Sequence, residues 1–136
     1  MSWLQVCDNK CHVHDPSPEE EKNSRVLDIG CADGKLLHLL IKNKSASVQG
    51  IEIEHDKVEA CLKKGLSVVE GDANKEIISF PDNSFDLVWA CESGEHMPDK
   101  NAYIAEMARV LKPGGLMVMA TWCQREEHTG EPFSKS

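Results

Sequence analysis

The stretch Arg25-Val-Leu-Asp-Ile-Gly-Cys-Ala-Asp-Gly34 constrains this chain more than any other, because an apolar strand ends there in an acid and a glycine-rich turn. The turn opens directly onto a leucine-rich segment beginning at Lys35. A strand running into so tight a turn leaves unpaired backbone N–H groups at the start of the next helix, and small residues let a ligand approach the main chain. The segment therefore predicts a ligand crevice, with an ordinary strand–turn–helix as the plain alternative. Its spacing narrows the ligand. A dinucleotide fingerprint, G-x-G-x-x-G, needs glycine at 30, 32 and 35, whereas the chain carries Gly30, Ala32 and Lys35, with its second glycine at Gly34. Asp28, at the strand end, would repel a pyrophosphate and attract a ligand ammonium group.

Downstream, β and α signals alternate. Strands are expected at 25–29, about 47–53, 67–70, 85–91 and 115–122, and helices at about 34–42, 55–64 and 99–111. The second helix turns Val58, Cys61 and Leu62 to one side and stops at Gly65. The third begins at Asp99, carries Ile104, Met107, Ala108 and Leu111 at helical spacing, and ends at Pro113-Gly114-Gly115. Such alternation implies right-handed parallel crossovers, hence an α/β, doubly wound, mostly parallel sheet of about five strands. Ligands of these sheets lie beyond the C-terminal strand ends, where Gly30, Glu52, Asp72 and Cys91 all fall.

With 136 residues, 40% of them hydrophobic, the chain can bury one core. Residues 25–136 are expected to form that domain, behind a flexible polar lead at 1–24. A net charge of −8 argues against nucleic acid as a partner, although solubility alone also explains it. No apolar run suits a membrane span and no secretory leader is visible, so a cytoplasmic protein is the default. The six cysteines lack a C-x-x-C and read as reduced core residues. Cys7, Cys11, His12 and His14 form a metal-like cluster whose spacing fits no standard zinc module, so no metal site is assigned.

Acids mark the expected rim. Glu52 follows Gly30 by 22 residues at the end of the second strand, where a carboxylate can accept both hydroxyls of a ribose. A solvated strand-end charge is the alternative. Glu54 shares its face but not its turn position. Asp72, in Gly71-Asp72-Ala73 after the third strand, reads as a ligand group or as a turn residue. Asp86 reads as structural.

Asp-x-Gly-x-(Gly/Ala)-x-Gly resembles motif I of the class I S-adenosylmethionine-dependent methyltransferases, in which the acid faces the methionine amino group. Residues 26–88, with Gly50-Ile-Glu-Ile-Glu54 and Cys61-Leu-Lys-Lys-Gly-Leu-Ser-Val-Val-Glu-Gly-Asp72, look like MetW-type proteins. Residues 89–125 instead resemble the tocopherol methyltransferase group, through Cys91-Glu-Ser-Gly-Glu-His-Met-Pro-Asp-Lys100, Arg109-Val-Leu-Lys-Pro-Gly-Gly115 and Thr121-Trp-Cys-Gln-Arg125. The resemblance implies S-adenosylmethionine as cofactor, held by Asp28, Gly30, Ala32, Gly34, Glu52, Ile53, Asp72, Ala73 and Cys91, with Asp72 on the adenine amino group. It implies a small hydrophobic or aromatic methyl acceptor, for which His96 or Glu92 could assist deprotonation. His96 reads equally as a loop residue that orders its turn. Glu95 reads as solvated, and Trp89 and Trp122 as core.

The pattern also departs from the family. Ala32 replaces a common glycine, a change the turn tolerates if its φ stays negative. The family's last two strands and capping segment would follow Ser136, and its N-terminal helices would precede Arg25. The fifth strand is thus expected as an exposed edge, implying a partner chain, aggregation or a truncated gene product. Two rival functions remain: a catalytically silent regulatory subunit of MetW type, and a nucleotide-dependent oxidoreductase. A plastid location is the alternative that the tocopherol-type resemblance brings.

Overall fold

The computed structural model describes residues 23–44 and 46–121. The expected polar lead up to residue 22, the Cys7–His14 cluster, Trp122, Cys123 and the loop-like stretch from Thr129 lie outside the described residues. Strands β1 (Arg25–Ile29), β2 (Ser47–Glu52), β3 (Val68–Glu70), β4 (Phe85–Cys91) and β5 (Leu111–Ala120) form one sheet in the order β3-β2-β1-β4-β5. Every pairing is parallel. The chain winds outward from β1 to β3, then crosses back to β4, so its direction reverses between β1 and β4. This is a doubly wound α/β sheet with its switch point where the glycine turn lies.

Helices α1 (Lys35–Lys44) and α2 (His55–Lys63) cover one face. There Val26 and Leu87 meet Leu40, while Leu37, Cys31, Cys61 and Leu66 pack together. The short α3 (Ala73–Glu76), a 3-10 turn at Ile77–Ser79 and α4 (Lys100–Val110) cover the other, where Leu27, Ile29, Val88 and Ala90 pack against Ile77, Tyr103, Met107 and Val110. Strand β1 is buried on both faces from Val26 on, which accounts for apolar Val26, Leu27 and Ile29 around the buried Asp28. Each such fully buried side chain contributes about 1.5–3 kcal/mol of transfer free energy.

Helix α4 starts after Asp99, whose side chain accepts from the Ala102 N–H at 2.9 Å. Helix α2 ends before Gly65, whose φ of +75° stops it. Three expectations shift. Strand β5 begins at Leu111 rather than 115, because Lys112 to Gly115 are absorbed as an irregularity between the pairs Phe85–Leu111 and Leu87–Leu116. On α4, Tyr103 takes the buried place expected of Ile104. On α2, Val58 and Cys61 are buried while Leu62 is exposed. No helix among the described residues is long and apolar enough to cross a membrane.

Candidate functional site

The glycine turn after β1 is bound to its neighbour β2. The N–H groups of Gly30 and Cys31 both donate to the Ile51 carbonyl, at 2.8 and 3.1 Å. The Ala32 N–H donates to Glu52 Oε2 at 2.8 Å, and Glu52 Oε1 accepts from the N–H groups of Ile53 and Glu54 at 2.9 and 3.0 Å. A carboxylate fixed by three main-chain donors from two loops is a rigid element, and Oε2 retains a lone pair for a further donor. Ala32 lies at φ +50°, so the condition of a negative φ is not met. Its Cβ stands in the left-handed region, which only glycine occupies without cost.

Asp28 lies deeper. It is 4% exposed, and no hydrogen bond or ion pair to its carboxylate is found among the described residues. Burial, followed by the neighbouring Glu52 charge, pushes its carboxyl up to about 7. Gly34 serves packing: a Cβ there would lie 2.4 Å from Leu66 Cδ1 and 2.9 Å from Cys61 Sγ. It belongs to the floor under the turn.

At the end of β3, Asp72 accepts from the Asn74 N–H at 3.0 Å and from Asn74 Nδ2 at 3.1 Å, capping α3. It is therefore a turn residue, and it also lines the crevice. The opposite wall follows β4. Glu92 has φ +53° and its N–H donates to the Ala120 carbonyl at 2.7 Å. Ser93 Oγ shares a buried 3.0 Å hydrogen bond with Tyr103 Oη. Glu95, expected to be solvated, accepts from Thr121 Oγ1 at 2.8 Å, and its side chain is 22% exposed. That bond joins the first and last of the three tocopherol-type motifs across 26 residues of sequence. His96, in the 3-10 turn Gly94–His96, is largely exposed, with Nε2 3.9 Å from Glu95 Oε1.

Between these walls lies a cavity of about 610 Å³. Of the residues singled out from sequence, Gly30, Ala32, Glu52, Ile53, Asp72 and Ala73 line it on one side. Cys91, Glu92 and His96 line it on the other; Gly34 does not, and Asp28, next in sequence to the wall residue Ile29, is 4% exposed with a carboxylate that is not wholly sealed from solvent. Sequence reading missed Ser93 and Lys57. The spacing of Glu54 and Lys57, three apart at a helix start, was the available signal, and the two form a 2.6 Å ion pair. Among the described residues no group of three or more potential metal ligands occurs.

A family model described as methionine biosynthesis protein MetW matches residues 20–114. The 2-methyl-6-phytyl-1,4-hydroquinone methyltransferase of Synechocystis is 39% identical over 109 residues, covering 75% of this chain and 33% of that protein. The chloroplastic tocopherol O-methyltransferase of Arabidopsis thaliana is 37% identical over 121 residues, covering 83% of this chain and 34% of its own length. A crystal structure of a SAM-dependent methyltransferase from Archaeoglobus fulgidus superposes with a TM-score of 0.66 at 29% identity, covering 75% of this chain and 46% of the other. The chain thus spans about a third of the length of the curated relatives it matches.

Proposed function

The chain belongs to the MetW family of class I S-adenosylmethionine-dependent methyltransferases, and from that premise we propose that its cavity binds S-adenosylmethionine and that the chain transfers the methyl group to a small hydrophobic or aromatic acceptor. The observation that carries this reading is Asp28: a buried carboxylate without a counter-cation, next to a second acid held rigid at the rim. A cationic group relieves the first charge and hydroxyl donors satisfy the second, and S-adenosylmethionine offers an ammonium group to Asp28 and ribose hydroxyls to Glu52.

This reading assigns the roles along the strand order. Asp72, with Ala73, receives the base end beside β3; Glu52 accepts ribose hydroxyls at β2, with Ile53 as apolar surface; the turn at Gly30 and Ala32 lets the amino-acid end approach the main chain. Cys91 closes the cofactor side at β4. The bound cofactor supplies a methyl group on a positively charged sulfur, a good leaving group. The protein's own contribution is to orient the acceptor, since holding reactants at near-attack distance removes most of the entropic barrier. His96 or Glu92 takes a proton from an acceptor that must lose one.

Calorimetric titration with S-adenosylhomocysteine tests the assignment. Asp28→Ala and Glu52→Ala are each expected to weaken binding at least about tenfold, the loss of one charge-assisted contact. Equal heats from the wild type and both variants would overturn it.

A second reading, a catalytically silent regulatory subunit that binds the cofactor and pairs with another chain, draws on the outer edge of β5. That edge pairs with no strand among the described residues, and Leu116 and Met119 are 37% exposed. Tight S-adenosylhomocysteine binding with no methyl transfer to phenolic or amine acceptors would select it. For compartment, the reading keeps the cytoplasm, with the plastid as the alternative suggested by the Arabidopsis relative's name.

A further inference from the structure

The glycine turn is also held from behind. The hydrogen-bond ladder of α1 begins with the His38 N–H donating to the Gly34 carbonyl at 2.9 Å, which leaves the carbonyls of Ala32 and Asp33 to other donors. Both donors come from the C-terminal end of α2. Cys61 Sγ donates to the Ala32 carbonyl at 3.2 Å, and Lys64 Nζ donates to the Asp33 carbonyl at 2.6 Å. Burial raises the Cys61 thiol, which therefore keeps the proton it donates. Leu66, two residues beyond Lys64, fills the space that a Cβ at Gly34 would need. One end of α2 thus touches residues 32, 33 and 34 in succession, and neither Cys61 nor Lys64 lines the cavity.

Lys64 is itself fixed in place. It caps α2, its N–H bonding back to the carbonyls of Cys61 and Leu62, and the Leu66 N–H returns to the Cys61 carbonyl at 3.1 Å. Its Nζ also stands 3.9 Å from Asp33 Oδ2, so it meets a main-chain and a side-chain oxygen of one residue. The adjacent Lys63 instead pairs with Glu59 along the helix, at 3.3 Å. On the turn, these contacts bracket Ala32. Its N–H is bound to Glu52 and its carbonyl to Cys61, while the next carbonyl is bound to Lys64, so the left-handed φ of +50° is clamped from both flanks. Releasing the Asp33 carbonyl frees the peptides beside it to rotate, and the Ala32 N–H then loses its alignment on Glu52 Oε2.

We propose, on the basis of the cofactor assignment above, that Lys64 is a positioning residue for the cofactor: without touching it, Lys64 sets the affinity by holding the turn and Glu52 in the geometry that receives it. Two readouts test this, amide hydrogen exchange in the ligand-free protein and calorimetric titration with S-adenosylhomocysteine. Lys64→Met is expected to speed exchange at the Ala32 amide about fivefold and to weaken S-adenosylhomocysteine binding by a similar factor, as the loss of one half-exposed hydrogen bond to a charged donor does. Exchange at Val88, in the buried β4, should not change, because the opening is local. Lys64→Arg keeps a charged donor and should restore both readouts to within about twofold of the wild type. Lys63→Met removes the same charge one residue away and should leave both unchanged. Unaltered exchange at Ala32, unaltered affinity, equal acceleration at Val88, or a loss shared by Lys64→Arg or Lys63→Met overturns the inference and leaves the cofactor reading standing. A wild type that fails to bind S-adenosylhomocysteine overturns the cofactor reading, and this inference with it.

Discussion

The two sides of the cavity are built by different means. On the β1–β2 side the links are main-chain amides: Gly30 and Cys31 donate to the Ile51 carbonyl, and Ala32, Ile53 and Glu54 donate to one carboxylate. On the β4–β5 side the links include side-chain pairs, Ser93 with Tyr103 and Glu95 with Thr121. Main-chain geometry admits few substitutions, because the backbone itself must keep its path. Side-chain latches can be exchanged one at a time at a cost of about 1 kcal/mol each. The difference fits the proposed reading, a cofactor on the first side and an acceptor on the second.

The largest expected effect lies under the first side. Asp28 titrates near 7 when folded and near 3.8 as a free carboxyl, so the folded chain holds its proton more tightly than the unfolded chain does. Stability from this group is therefore greatest below pH 4 and is lost as pH rises towards 7. A rise of this size corresponds to about 4 kcal/mol. Asp28→Asn removes that slope. Chemical denaturation should find the variant more stable than the wild type at pH 8 by up to about 4 kcal/mol, less the amide's own burial cost, with the gap closing at pH 4. A pH-independent difference would show that Asp28 is not an uncompensated charge.

Glycine substitutions sharpen the contrast. An added methyl at Gly34 meets Leu66 at 2.4 Å on a backbone with φ +77°, whereas one at Gly94, on the other side, meets Thr121 Oγ1 at 3.4 Å. Gly34→Ala is expected to cost about 3 kcal/mol, combining left-handed strain with overpacking. Gly94→Ala should stay within about 0.5 kcal/mol, as an ordinary contact does. Comparable losses in thermal unfolding would mean that the two sides are equally intolerant.

The same division decides what the sequence could disclose. The strand, acid and glycine turn at 25–34 are contiguous, and Asp99 and Gly65 mark helix ends with local chemistry, so those features were legible. The Glu95–Thr121 bond spans 26 positions and joins a loop to a strand end, which no local pattern encodes. Helix α3 has four residues, too few for a hydrophobic period, and only its cap, Asp72, signalled a turn. Pro113-Gly114-Gly115 reads as a break, yet the sheet carries it as a bulge because Leu111 already pairs with Phe85. Strand alternation also could not tell that Asp28 would be only 4% exposed, since that depends on the elements packed around the strand end.

Removing one latch tests the second side. Tyr103→Phe deletes the hydroxyl that Ser93 meets at 3.0 Å in a buried setting. It should cost about 1 kcal/mol, with S-adenosylhomocysteine affinity little changed. A tenfold loss of that affinity would show that the β4 wall is as much a part of the cofactor site as the rim.

The smallest effect is expected at Ala32, and its sign is the informative part. A left-handed alanine costs about 1–2 kcal/mol relative to glycine, while glycine's extra freedom in the unfolded chain gives back about 0.5–1 kcal/mol. Ala32→Gly should therefore raise stability by about 0.5–1 kcal/mol. The Ala32 N–H keeps its bond to Glu52 in either case, so ligand affinity should not fall. A destabilised variant would mean that the methyl group is held by contacts that outweigh its strain, and that this rim depends on side-chain packing as the opposite wall does.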